Sequence, residues 1–149
     1  MRIYLDTNIF IEAIEGRGTL ADLVVSLFRV SRAGGRALFA TSELSLAELL
    51  VKPLELRRSD LADTYRNWVV DSDFLDVLPV SREILQQAAH LRAADKALKL
   101  PDAIHVAAAQ RAGCTHFLSR DKRLSDLPDL AVVLANEDNV RRLLMQLKS

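Results

Sequence analysis

The 149-residue chain has a single cysteine, Cys114, so it cannot close an internal disulfide, and a reducing compartment such as the cytoplasm suits it. It has no apolar run long enough to span a bilayer. Asp6 and Glu12 also break what would otherwise be the apolar stretch of an N-terminal signal segment. A cytoplasmic protein without a membrane partner is therefore expected. Charge of one sign is lacking too, because 20 Lys and Arg balance 20 Asp and Glu. A generic polyanion binder would be strongly basic, which argues against that class. Nucleic acid as a substrate stays open, since a balanced total accommodates an acidic site beside a basic rim. The three histidines and one cysteine offer no spacing suited to zinc, so any metal here needs oxygen ligands.

What is present is ordinary in proportion and regular in order. Half of the residues are hydrophobic and 27% are charged, and the length suffices for one domain with a buried core. No repeat, low-complexity segment or linker interrupts residues 1–149, which read as a single domain. Short β-prone runs, "RIYL", "RALFA", "FLDVLPV", "THFLS" and "LAVVL", predict five strands. Helices are predicted between them. "NIFIEAIE" runs to the Gly16/Gly18 break, and "LADLVVSLFRVSRAG" runs to Gly34 and Gly35. "SELSLAELLV" ends before Pro53, and "RRSDLADTYRNWVVDS" follows with a wetter face. Ser81 caps "REILQQAAHLRAADKAL", whose stripe is Ile84, Ala88, Leu91 and Leu98. "PDAIHVAAAQRAG" opens with Pro101 at the first helical position, and "NVRRLLMQL" closes the chain. Apolar strands alternating with amphipathic helices indicate an α/β fold with a mostly parallel sheet, in which sites form beyond the carboxyl ends of the strands.

Four acids fall in that region, and each also has a plain structural explanation. Asp6 follows the first strand in "YLDTNIF", where Asp, Thr and Asn all suit a helix N-cap. Glu48 interrupts an almost wholly apolar helix, where an unpaired carboxylate is costly, yet Ser45 and Glu48 also have the spacing of a capping box. Asp102 sits in a first helical turn, where the macrodipole favours any acid. His105, three residues on and roughly on the same face, suits a packed or hydrogen-bonding role more than a ligand's. Asp121 follows the fourth strand, with Ser119 two residues before it, and could simply cap a short turn. Arg120, Lys122 and Arg123 around it are a solvated loop or a phosphate-binding rim.

Taken together the acids say more. Strand ends of a parallel sheet share one edge, so all four could converge there. At an effective dielectric of roughly 20, close carboxylates repel by ~4 kcal/mol per pair. Folding tolerates that if a cation sits among them or some carboxylates stay protonated. Such all-oxygen sites suit Mg²⁺ or Mn²⁺.

The order "IYLDTNIFIE", "TSELSLAELLVKPL", "LPDAIHVAAAQRAGCTHFLSRDKRL" resembles PIN-domain proteins, of the single-domain kind that serve as VapC-type toxins of VapBC toxin–antitoxin pairs. The resemblance covers nearly the whole chain. It maps the family's four acids onto Asp6, Glu48, Asp102 and Asp121, with Thr7, Asn8 and Ser119 as their hydroxyl and amide neighbours. It implies a three-layer α/β/α fold with a five-stranded, mostly parallel central sheet, a homodimer, and Mg²⁺- or Mn²⁺-dependent endoribonuclease activity on RNA. It also implies a small antitoxin whose C-terminal segment occludes the active site. On this view Asp6, Glu48 and Asp102 hold the main metal, Asp121 completes the site, and Arg120, Lys122 and Arg123 bind flanking phosphates. Removing the Asp6 charge should abolish cleavage and, without metal, raise the melting temperature. Two other readings remain open at this stage: a phosphatase or phosphotransferase with Asp6 as nucleophile, and a non-catalytic PIN-like binding module. Nothing in the sequence chooses the RNA or excludes DNA.

Overall fold

A computed structural model describes residues 1–30, 32–33 and 36–149. Its central sheet is built from β1 (Ile3–Leu5), β4 (Phe39–Ser42), β5 (Leu75–Leu78), β6 (His116–Ser119) and β7 (Ala131–Leu134), in the order β5-β4-β1-β6-β7. All four pairings are parallel. The expected fold class is therefore the observed one. β1 lies at the centre because its three residues are all apolar and fully buried, with a ladder of partners on each side.

Period-two alternation divides the core between two faces. Ile3 and Leu5 of β1, Phe39 of β4 and Leu118 of β6 point to one side. There they meet α1 (Thr7–Glu15), α2 (Thr19–Arg29), α3 (Glu43–Glu55), α4 (Ser59–Val70) and α7 (Glu137–Lys148). Tyr4, Ala40 and Phe117 point to the other side, against α5 (Arg82–Ala94) and α6 (Leu100–Arg111). Ala103, Ala107, Ala108 and Ala109 of α6 are wholly buried, and their small side chains let that helix lie close on the sheet. Among the described residues no helix is long and apolar enough to cross a membrane.

Several element boundaries differ from those the sequence predicts. α2 stops at Arg29, where the Val30 N–H turns back to the Leu27 carbonyl. Gly34 and Gly35, its expected end, lie outside the described residues. The expected strand over 36–40 is split. β3 (Arg36–Ala37) pairs antiparallel with β2 (Arg32–Ala33) in a separate ribbon, and only β4 joins the main sheet. α5 ends at Ala94 because Asp95 leaves the helix and its carboxylate accepts the Ala97 N–H at 3.0 Å. Leu98 still reaches the core, but from the loop rather than from a helical stripe. Pro101 is the second residue of α6, after Leu100.

α3 continues through Pro53 instead of ending before it. A proline this near the C-terminus forfeits a single backbone bond, and two others close the end: Arg57 N–H to Leu54 O at 3.2 Å, and Arg58 N–H to Pro53 O at 2.8 Å. That terminator needs a left-handed residue, and Arg57 supplies it at φ +54°. Glycine would adopt this conformation without the Cβ clash. Arg57→Gly should therefore stabilise the protein by about 1 kcal/mol, read as a higher urea midpoint with an unchanged m-value.

Candidate active site

Parallel pairing sets Leu5 against Leu118, so the chain leaves β1 beside the end of β6, and the Asp6 N–H donates to the Leu118 carbonyl at 3.0 Å. Asp6 caps α1, as its residue type suggested, with Oδ1 accepting the Thr7 N–H at 2.8 Å. Its other oxygen accepts the Ser119 hydroxyl at 2.7 Å and the Asn8 amide at 3.3 Å. Asn8 reaches across to β6 as well: its Nδ2 donates to Ser119 Oγ at 3.2 Å and its Oδ1 accepts the Arg120 N–H at 3.0 Å. Ser119 Oγ also accepts the Asp121 N–H at 3.0 Å. Thr7, Asn8 and Ser119 thus knit the first and fourth acids into one corner. With both oxygens of Asp6 occupied and the residue 6% exposed, nothing favours it as a nucleophile.

Glu48 stands one turn into α3, and the capping box with Ser45 does not form. The N-cap is Ser42, whose hydroxyl accepts the Leu44 N–H at 3.2 Å. Ser45 is buried, 2.7 Å from Thr41 Oγ1 and 3.2 Å from Thr7 Oγ1. Glu48 Oε1 instead accepts the Thr7 hydroxyl at 2.8 Å and lies 2.6 Å from His105 Nε2. Burial by itself would raise the Glu48 pKa. Bonding and charge from His105, with the Thr7 hydroxyl, outweigh it and hold the carboxyl below its usual range.

Asp102 opens α6 on the same edge. Burial, then the charges of Asp6 and Asp121, push its pKa up, while Arg123 and His105 pull the other way. Both acids come from other parts of the chain and act on Asp102 at the same edge of the sheet. Asp121 is held below the normal carboxylate range chiefly by Arg123, whose guanidinium bonds both its oxygens, at 3.0 Å from Nε to Oδ1 and 2.5 Å from Nη2 to Oδ2. The same Nη2 lies 3.9 Å from Asp102 Oδ2. Of the other two basic residues, Arg120 pairs with Glu12 at 2.7 Å and Lys122 is exposed.

The donor set is right in chemistry for a hard divalent ion: carboxylates only, with one of them penalised for its charge by two of the others. It is not drawn into a finished cage. Among the described residues no three carboxylate, imidazole or thiol groups lie close enough to hold an ion as placed. One contact gives a physical reason, because Arg123 draws on Asp121. A groove of about 410 Å³ opens beside Asp102 and Arg123, floored by Leu98, Leu124 and Leu127. Sequence reasoning gave His105 no more than a packed or hydrogen-bonding place. Its position three residues after Asp102, in a run of small buried residues, was the only available signal.

The charge-relief expectation moves from Asp6 to Asp102. Asp6 has three donors to lose, whereas Asp102 has a raised pKa and so ionises at a cost to the fold. That cost is present above its folded-state pKa and absent below the unfolded value of ~3.9. Asp102→Asn, melted in EDTA, should exceed the parent protein in melting temperature at pH 7. The gain should shrink as the pH falls towards ~4, where the parent's own carboxyl takes up a proton. A lower melting temperature at pH 7 would contradict the crowding of charge on this edge.

Comparison with known proteins bears on the fold. No curated protein matches the chain. Solved structures that it resembles include a toxin–antitoxin complex from Klebsiella pneumoniae, at 24% identity and TM-score 0.66, covering 92% of this chain and 99% of that one. VapBC2 from Rickettsia felis, bound to a promoter DNA fragment, gives 16% identity and TM-score 0.72 over 91% of this chain and 100% of its own. VapC20 from Mycobacterium tuberculosis, a sarcin–ricin loop cleaving toxin, gives 15% and 0.66 over 87% and 98%. At these identities the likeness speaks to the fold. The PIN domain model matches residues 3–130, from the first residue of β1 to the residue before β7, and the chain belongs to the PIN-domain family.

Proposed function

We propose that this protein is a divalent-metal-dependent endoribonuclease, hydrolysing RNA phosphodiester bonds as the toxin of a toxin–antitoxin pair. The observation that carries this reading is the gathering of the acids at one sheet edge of a PIN fold: Ser119 bonds the Asp6 carboxylate and the Asp121 N–H, Arg123 bonds Asp121 and lies 3.9 Å from Asp102, and Glu48 is tied to the same corner through Thr7. The structural neighbours from K. pneumoniae, R. felis and M. tuberculosis are toxin–antitoxin complexes or an RNA-cleaving toxin, which supports the assignment. Residues 1–149 act as one domain on this reading. A cytoplasmic homodimer and a small antitoxin covering the acidic groove complete it.

Asp6, Glu48 and Asp102 would hold Mg²⁺ or Mn²⁺, with Asp121 completing the site. An ion there supplies Lewis acidity towards the phosphoryl oxygens and lowers the pKa of water. The protein's own contribution is orientation. Ser119 and Asn8 fix Asp6, Thr7 fixes Glu48, and the turn from Ser119 to Asp121 places the fourth acid. Arg123 has a double role. It pairs with Asp121, and once released it would be free to bind a flanking phosphate beside exposed Lys122. Arg120, paired with Glu12, must break that contact to do the same.

Purified protein should cut a structured RNA with Mg²⁺ or Mn²⁺ present, lose that activity in EDTA, and leave a DNA of the same sequence intact. Asp6→Asn, Glu48→Gln, Asp102→Asn and Asp121→Asn should each reduce cleavage to background in a gel assay while keeping the parent's far-UV circular dichroism. Chelator-resistant cleavage, or an Asp102→Asn protein as active as the parent, would sink the proposal.

A further inference from the structure

His105 is 1% exposed, and both of its ring nitrogens have partners. Nδ1 lies 2.7 Å from the Tyr4 hydroxyl and Nε2 lies 2.6 Å from Glu48 Oε1. Tyr4 is itself immobilised, stacked on Phe117 with ring centroids 5.2 Å apart and an interplanar angle of 15°. An ionised carboxylate can only accept, so the proton of the 2.6 Å contact resides on Nε2, aimed at Glu48 Oε1, and the Tyr4 hydroxyl anchors the other ring nitrogen.

We propose that His105 is a positioning residue for Glu48: the chain Tyr4–His105–Glu48 pins Oε1 and turns Oε2 towards the cation site. This inference rests on the reading of Glu48 as a ligand of the divalent ion, and it assigns the orientation of that ligand to a residue outside the acidic set. Thr7 reinforces it, because its hydroxyl donates to the same Oε1 at 2.8 Å. Two donors on one oxygen fix the plane of the carboxylate and leave the second oxygen for a further partner. The Glu48 side chain is 37% exposed, while the imidazole that holds it is buried. Tyr4 projects from the central strand and His105 from α6, so the carboxylate's direction is referred to the rigid sheet rather than to its own helix. Without the imidazole donor, Glu48 would keep only the Thr7 bond and could rotate about its terminal torsion. Hydrogen-bonding partners that orient metal ligands typically change metal affinity by roughly 10- to 100-fold when removed.

The test is Mn²⁺ binding by calorimetry, without RNA, on the full-length protein. His105→Leu keeps the volume apolar and removes the donor, and should weaken Mn²⁺ binding by roughly 10- to 100-fold. His105→Gln, whose amide can donate to Oε1, should recover affinity to within a few-fold of the parent. Tyr4→Phe keeps the ring stack but removes the hydroxyl that anchors Nδ1, and should weaken binding in the same direction as His105→Leu. In a Glu48→Gln background, His105→Leu should cause no further loss, because the carboxylate it orients is gone. An equal further loss there would mark a merely structural histidine and overturn the inference. So would parent-like affinity in His105→Leu. Should His105→Leu fail to fold, Tyr4→Phe and His105→Gln decide the matter, with unaltered affinity in Tyr4→Phe counting against it. If the parent protein itself binds no Mn²⁺, the metal reading of the site fails and takes this inference with it. Failure of the inference alone shows only in the variants.

Discussion

The site depends on the parallel ladder between β1 and β6. Pairing of Ile3, Tyr4 and Leu5 with His116, Phe117 and Leu118 brings two chain segments more than a hundred residues apart to a common end. Asp6 and Ser119 are the first residue past one strand and the last of the other, and the Ser119 hydroxyl closes on the Asp6 carboxylate at that point. β4 on the other flank of β1 ends at Ser42, which starts α3 and delivers Glu48. A one-residue slip in the β1–β6 register would turn every side chain of the strand to the opposite face. Tyr4 would then leave the α6 side and the histidine it contacts. Fold and site therefore stand on the same hydrogen bonds.

Crowding acids at such an edge costs stability, and the chain offsets the cost in three different ways. Asp6 is given neutral donors: a backbone N–H, a hydroxyl and an amide. Glu48 is given a buried imidazole and a hydroxyl. Asp121 is given a guanidinium, exposed enough for the pair to contribute little to stability and to separate readily. Asp102 is left with a net penalty, and it faces the groove. These arrangements explain both why the fold tolerates the cluster and why no finished ion cage is found among the described residues. Strain of this kind concentrated at one edge is a common property of functional sites.

Much of this was legible in the chain before any coordinates. The positions of Asp6 and Asp121 just past strands and of Asp102 in the first turn of a helix follow from the hydrophobic pattern and its punctuation. The capping reading of Asp6 holds for one oxygen, while the other accepts from Ser119 and Asn8. Glu48 was less legible. Its spacing from Ser45 fits a capping box, and only the actual start of α3 at Glu43, with Ser45 turned towards Thr41, disposes of that. The β2–β3 ribbon went unseen because two-residue strands carry no periodicity. The extra turn of α3 beyond Pro53 depended on a left-handed Arg57, a conformation for which arginine gives no hint.

The sequence by itself determined the alternation of buried strands and amphipathic helices, hence the layered sheet, and it supplied an all-oxygen set of acids with no competing thiol or histidine cluster. Those are local properties, set by residue type and by spacing within a few positions. Tertiary structure alone decided which oxygen each acid presents, that Arg123 rather than Arg120 neutralises the cluster, and that His105 joins Tyr4 to Glu48. Such contacts link residues separated by 57 to 101 positions at Tyr4, His105 and Glu48. Their geometry is fixed by strand register and by how closely an alanine-lined helix can approach the sheet, and neither is encoded in any short stretch of the chain.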